Sequence, residues 1–172
     1  MMSAHSMTAR WLASERLVLE PLRPEHAVEL AALLDDAAVH QFIGGEPENA
    51  EELRARIERQ AVGHSPDGRQ RWLNWAVRAR TSGDALGTMQ ATVTGDATES
   101  VAEVAWVIAP SHQGQGFAKE AAGLVVAWLR TRGVGRVRAH IHPGHLASMG
   151  VARSLGLLAT DVVRDGETRW ES

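Results

Sequence analysis

The segment Ser111 to Gly116 (SHQGQG) follows an apolar, strand-like stretch and runs directly into residues of helical spacing. Glycines at 114 and 116 let backbone N–H groups approach a phosphate, and a helix N-terminus adds free donors and the positive end of its dipole. A strand-to-helix turn that merely needs glycine reads the same way. The known nucleotide patterns do not fit. A dinucleotide fingerprint needs a third small residue where Lys119 stands, and no Gly-Lys-Ser/Thr of a P-loop occurs. His140, His142 and His145 form a second cluster. His140 and His142 share one face of a strand, a workable ligand spacing, but the Pro143–Gly144 turn separates His145 and no other third ligand is near. No metal is expected. Ser148 lacks the strand–turn–helix setting of a hydrolase nucleophile.

Composition narrows the chemistry further. The 172 residues contain no cysteine and no tyrosine. Disulfides, thiolate metal sites, a cysteine nucleophile and a phenolic acid are all excluded. A formal charge of −3 argues against a nucleic-acid partner, and Lys119 is the only lysine. The start, MMSAHSMTARW, lacks the apolar core of a signal peptide, and the longest apolar stretch, Ala121 to Leu129, is too short to cross a bilayer. A cytoplasmic protein with no membrane partner is expected.

The elements that must hold these residues follow from periodicity. Residues 1–13 read as a flexible tail and 14–172 as a single domain. Arg16 to Leu22 reads as a strand, Pro24 opens a helix that ends near Asp35–Asp36, and Asn49 caps a helix over Glu51–Gln60. From Arg71 the period becomes two, giving strands at Trp72–Arg80, Ala85–Thr94 and Val101–Ile108. A helix runs from the glycine loop to about Arg132 with Phe117, Ala121, Leu124, Val125, Trp128 and Leu129 on its apolar face. A strand at Arg136–Ile141, a helix at about Leu146–Leu155 and a last hairpin around Asp165–Gly166 complete the chain. The order β α α β β β α β α β β predicts an α/β (α+β) fold, one mixed sheet with helices on its faces.

Three segments in order carry a resemblance. Gln113 to Ala118 (QGQGFA) resembles the Q/R-x-x-G-x-G/A loop of the GCN5-related N-acetyltransferases (GNAT). Glu103–Ile108 (EVAWVI) before it and Gly116–Ala121 (GFAKEA) after it are similar to the branch that acetylates ribosomal-protein N-termini, the RimJ/RimL-like branch. His145 to Leu157 (HLASMGVARSLGL) resembles the family's N-x-x-S…LGF element, and Glu15–Leu19 with Leu22, Arg23 and Pro24 resembles its opening. The resemblance covers roughly residues 14–172. It implies a mostly antiparallel sheet of about six to seven strands with about four helices, splayed between the fourth and fifth strands.

It also implies acetyl-CoA as co-substrate and direct acetyl transfer, in a ternary complex, to a primary amine. That amine would belong to a protein N-terminus, an amino sugar, a polyamine or an amino-acid-like metabolite. On this resemblance the amides of Gln113, Gly114, Gln115, Gly116, Phe117 and Ala118 hold the coenzyme's pyrophosphate. Val107 and Ile108 pair with pantetheine by backbone, and His145, where the family has asparagine, offers it an N–H. Glu103 is the general base, directly or through water; alternation puts it on one side with Ala105 and Val107, although a salt-bridged surface glutamate would look the same. Ser148 aligns with the family's serine near the sulfur and would hydrogen-bond the leaving thiolate, or else simply its own helix backbone. Relatives often use tyrosine there. The alternative is a non-catalytic acyl-CoA-binding or regulatory module, and a partner-binding domain whose loop is only a turn is a further rival. Trp72 and Trp75 have opposite parity, so an exposed indole would line a groove or a homodimer surface unless helices cover it. Glu46, Glu48, Glu51 and Glu52 read either as an acceptor rim or as favourable charge at a helix start.

Overall fold

The computed structural model describes residues 7–96 and 98–172. In chain order the elements are β1 (Leu12–Ala13), β2 (Leu17–Pro21), α1 (Ala27–Leu33), α2 (Ala37–Ile43), α3 (Ala50–Gln60), β3 (Gln70–Ala79), β4 (Ala85–Thr94), β5 (Val101–Ile108), α4 (Phe117–Thr131), β6 (Arg136–Ile141), α5 (Leu146–Ser154), β7 (Leu158–Arg164) and β8 (Glu167–Glu171). The eight strands form one sheet in the order β1-β2-β3-β4-β5-β6-β8-β7. Every pairing is antiparallel except that of β5 with β6. The expected fold class is the one observed, with one strand and one helix more than the sequence order shows.

Both additions are short. β1 has two residues, paired Leu12 to Leu19 and Ala13 to Val18. α2 has seven residues and only Val39 buried, so it carries no readable period. Its ends are nonetheless well made: the Asp36 carboxylate accepts from the Ala38 N–H at 2.8 Å, and Gly44 closes it at φ 75°. Residues 1–6 of the expected tail lie outside the described residues. Residues 7–13, which the sequence leaves in that tail, are packed: Met7 is buried, and the Arg10 carbonyl accepts from the Trp75 indole at 2.7 Å.

Alternation along the strands builds the core. Leu17, Leu19, Leu73, Trp75 and Val77 are completely buried beneath α4 and α5, together with Ala121, Val125 and Leu129 of α4. Trp75 meets Trp128 edge to face, centroids 5.9 Å apart. Ala85, of opposite parity to Leu86, joins Leu30, Leu53 and Ile57 in a smaller cluster under α1 and α3. Asn49 caps α3 as expected, in a reciprocal box with Glu52 at 2.8 and 3.0 Å. Glu48 pairs with Arg56 at 2.9 Å, so two of the four acidic side chains of that segment serve the helix locally. No helix among the described residues is long and apolar enough to cross a membrane.

One feature of the sheet positions everything that follows. β5 and β6 pair only over Val101–Glu103 against Arg136–Arg138, and past that point the strands part. The splay falls between the fourth and fifth of the strands read from the sequence. β4 supports the free end of β5, where Gly87 lies opposite Ile108. A Cβ on Gly87 would overlap the Val107 carbonyl oxygen, so only glycine lets the two backbones approach this closely. Gly87→Ala is therefore expected to destabilise the protein by about 1–3 kcal/mol. Gly123→Ala, in α4 with nothing within 4 Å of the added methyl, should stabilise it by up to about 1 kcal/mol. Urea midpoints of the two variants measure both.

Candidate active site

The glycine loop is shaped by its own backbone and by one side chain. After β5, Pro110–His112 makes a single 3-10 turn, and the Gln113 carboxamide donates back to the Ile108 carbonyl at 2.8 Å. Gly114 and Gly116 have φ 78° and 81°, in the left-handed region where a Cβ would be strained. Gly116 is the N-cap of α4, and no side chain caps that terminus. The first amides of a 15-residue helix are thus left open toward the cleft, with the positive end of its dipole behind them. Lys119 lines the same cavity. This is the chemistry of an anion site for a phosphate.

The loop is pinned from the Ser14–Arg16 segment just ahead of β2. Arg16 donates to the Gln115 carbonyl at 2.9 Å, pairs with Glu120 at 2.7 Å, and lies 4.6 Å from the Phe117 ring centroid. Ser14 donates to the same Glu120 carboxylate at 2.6 Å. Burial works to raise the Glu120 pKa, but hydrogen bonds from Ser14 and Arg16 outweigh it and hold the carboxyl below its ordinary value.

Two cavities meet where β5 and β6 part. One, of about 320 Å³, runs along the glycine loop and the start of α4; the other, of about 250 Å³, lies between β5 and β6 with Glu103 and His140 in its wall. Their shared lining is Phe42, Ile43, Trp106, Val107, His145 and Ser148. A larger, open hollow of about 960 Å³ lies between the turns Ser65–Arg71 and Val93–Asp96 and shares no residue with the loop. It collects no convergent set of chemically active groups, so the cleft is the better candidate.

The residues singled out in the sequence divide between the two cavities. Val107, Ile108, Gln113, Gly114, Gly116, Phe117, Ala118 and His145 line the first, while the Gln115 carbonyl is held by Arg16. The Ile108 carbonyl already accepts from Gln113, which leaves other groups of β5 to meet a ligand. Glu103 is in the second cavity, its Oε1 3.2 Å from His140 Nδ1 and its Oε2 4.0 Å from Arg164. Arg169 points Nε at His140 Nε2 from 3.5 Å. Ser148 is buried and borders both cavities; its Oγ accepts from the Trp106 indole at 3.2 Å and lies 3.4 Å from His145 Nε2. His145 stacks on Phe42, centroids 4.3 Å apart. Burial, and then the nearby His142, lowers its pKa, so the ring is neutral at pH 7. Among the described residues no group of three or more His, Cys, Asp or Glu could hold a metal ion.

Trp106, Phe42 and Lys119 were not read from the sequence as site residues. Trp106 sits on the core-facing side of β5, where a tryptophan reads as packing. Phe42 belongs to α2, which has no periodic signal. Lys119 alone carried one, as the sole lysine placed directly after the glycine loop.

Comparison with known proteins agrees with this geometry. The model of the acetyltransferase (GNAT) domain family matches residues 16–158, and the chain belongs to that family. Among solved structures, a GNAT-family acetyltransferase from Bacillus anthracis is 15% identical with a TM-score of 0.75, covering 94% of this chain and 96% of its own. RimL, a ribosomal L7/L12 alpha-N-protein acetyltransferase in complex with coenzyme A, is 16% identical with a TM-score of 0.75, covering 95% and 97%. The Salmonella typhimurium acetyl transferase that modifies the N-terminal serine of ribosomal protein L7/L12 is 15% identical with a TM-score of 0.71, covering 95% and 98%. At these identities the likeness is one of fold. No curated protein matches.

The Glu120 pin has a pH signature. A carboxyl held below its ordinary value of 4.5 contributes stability that is complete above that value and is lost as pH falls through the lowered one. The urea midpoint of the native protein should therefore drop more steeply below pH 4.5 than that of Glu120→Gln, the two curves converging at the acid end. Parallel curves would show that Arg16 and Ser14 do not hold this carboxylate.

Proposed function

We propose that this protein is an acetyl-CoA-dependent N-acetyltransferase that moves the acetyl group directly to a primary amine in a ternary complex. The observation that carries the reading is the junction of the two cavities at Ser148 and Trp106, with an open helix N-terminus on one side and Glu103 on the other. The pyrophosphate would lie on the amides of Gly114, Gly116, Phe117 and Ala118, with Lys119 beside it. The thioester arm would follow the unpaired stretch of β5 past Val107, which brings the acetyl carbon to the junction.

The amine would then enter from the Glu103 side. An ammonium ion must lose a proton before it attacks, and Glu103 takes that proton directly or through a water. The nitrogen adds to the thioester carbonyl and gives up its surplus proton to water, and as the C–S bond breaks its electron pair passes to sulfur. Ser148 supplies a hydrogen bond to the departing thiolate. With no cysteine in the chain, no acyl-cysteine intermediate intervenes. The structural neighbours that act on a ribosomal-protein N-terminus make a peptide N-terminal amine the first acceptor to try. An amino sugar, a polyamine and an amino-acid-like metabolite are the others.

The test is a CoA-release screen over amines and N-terminal peptides, with calorimetry of acetyl-CoA binding alongside. Gly116→Glu should abolish binding, because it places a carboxylate on a left-handed residue at the anion site. Glu103→Gln should lower kcat about 100-fold and Ser148→Ala about tenfold. Undiminished rates in both variants would contradict the roles assigned. Tight binding with no thiol release from any acceptor would instead identify a non-catalytic coenzyme-binding module.

A further inference from the structure

The Ser148 hydroxyl is 7% exposed and is approached by two nitrogens from different elements. Trp106, on β5, donates its indole N–H at 3.2 Å, and His145 Nε2, three residues before Ser148, lies at 3.4 Å. A hydroxyl has one proton and two lone pairs, whereas an indole N–H only donates. One lone pair of Ser148 is thus committed to Trp106. The neutral His145 ring carries one N–H and one bare nitrogen, and Phe42 stacks on its face at an interplanar angle of 8° while Nε2 faces Ser148.

We propose that Trp106 and His145 are positioning residues that make Ser148 a one-way donor. With the His145 proton on Nε2, the tautomer this role requires, both rings donate to the Ser148 oxygen, and the only capacity left to the hydroxyl is its proton, which is directed into the cavity toward the sulfur. This rests on the acetyl-transfer reading for its purpose, though the geometry is independent of it. When the C–S bond breaks, the electron pair goes to sulfur and Ser148 hydrogen-bonds the thiolate without surrendering its proton. The coenzyme leaves as thiolate or takes a proton from water. The indole thereby does for a serine what a phenol needs no help to do, which suits a chain with no tyrosine.

A double-mutant cycle tests this, read in two ways. Trp106→Phe keeps the packing and removes the N–H; it should lower kcat about tenfold with little change in KM for acetyl-CoA, and should cost nothing further in a Ser148→Ala background. His145→Gln, which retains an N–H, should keep most of the rate that His145→Leu loses. The second readout needs no turnover: the thiol of bound CoA, followed by thiolate ultraviolet absorbance, should ionise at lower pH than free CoA. Trp106→Phe and Ser148→Ala should each reverse that shift, and together reverse it no more than Ser148→Ala alone. If the shift is coupled in this way but no amine is acetylated, the acetyl-transfer reading fails and the positioning role stands. If amines are acetylated but the losses multiply, or bound thiol ionises like free CoA, the positioning role is overturned. Should Trp106→Phe not fold, the His145 pair in the same cycle decides the question.

Discussion

A β-strand that loses its neighbour leaves N–H and C=O groups facing a gap, and in a buried setting each costs about 1–3 kcal/mol unless something bonds to it. β5 meets this constraint just after Glu103, where its parallel pairing with β6 stops. The remainder of the strand is held from one side only, by β4, and the Gly87 contact is what permits β4 to lie close enough. The chain itself answers one exposed group, the Ile108 carbonyl, with the Gln113 carboxamide. The others border a cleft with room for a ligand that carries amides of its own. Fold and candidate site are in this sense one feature, because the opening that weakens the sheet is also the cleft that the glycine loop borders.

Side-chain contacts tie down what surrounds the gap. On one side the glycine loop is fixed to the segment just before β2 through Arg16, Gln115 and Glu120, which holds its amides in place without a ligand. On the other side, β6, β8 and α5 carry His140, Arg169, His145 and Ser148 toward Glu103 and Trp106 of β5. Preorganisation of this kind would serve the proposed acetyl transfer, in which little covalent work falls to the protein. A thioester and an amine react once they are held together, the amine is neutral and the departing sulfur is stabilised.

Much of this was legible in the sequence, for reasons that differ element by element. The switch from helical period to alternation at Arg71 marked the meander, and Gly114 and Gly116 marked the loop, because backbone geometry constrains residue type at both. Asn49 and its capping box were readable from spacing alone. α2 was not, since seven residues with Val39 as their only buried side chain carry no period. Nor was Trp106, whose parity on β5 is that of a core residue and whose indole nitrogen acts only because α5 brings Ser148 within 3.2 Å. The histidines show the same limit: spacing places His140 and His142 on one face of a strand with no metal expected, but only the tertiary arrangement sets His140 beside Glu103 and Arg169, and His145 beside Ser148. Chemistry that depends on one element crossing another leaves no local trace.

On the proposed function, a coenzyme A arm fills the gap left by β6 and satisfies the unpaired groups of β5. Amide hydrogen exchange with and without CoA measures this directly, residue by residue. With CoA bound, exchange should slow at Trp106 and Ile108, whose amides face the gap, and across Gly114–Ala118, with β7 and the Ser65–Arg71 turn unchanged. Binding that protects the Ser65–Arg71 hollow while leaving the amides of β5 and the glycine loop as fast as before would contradict it.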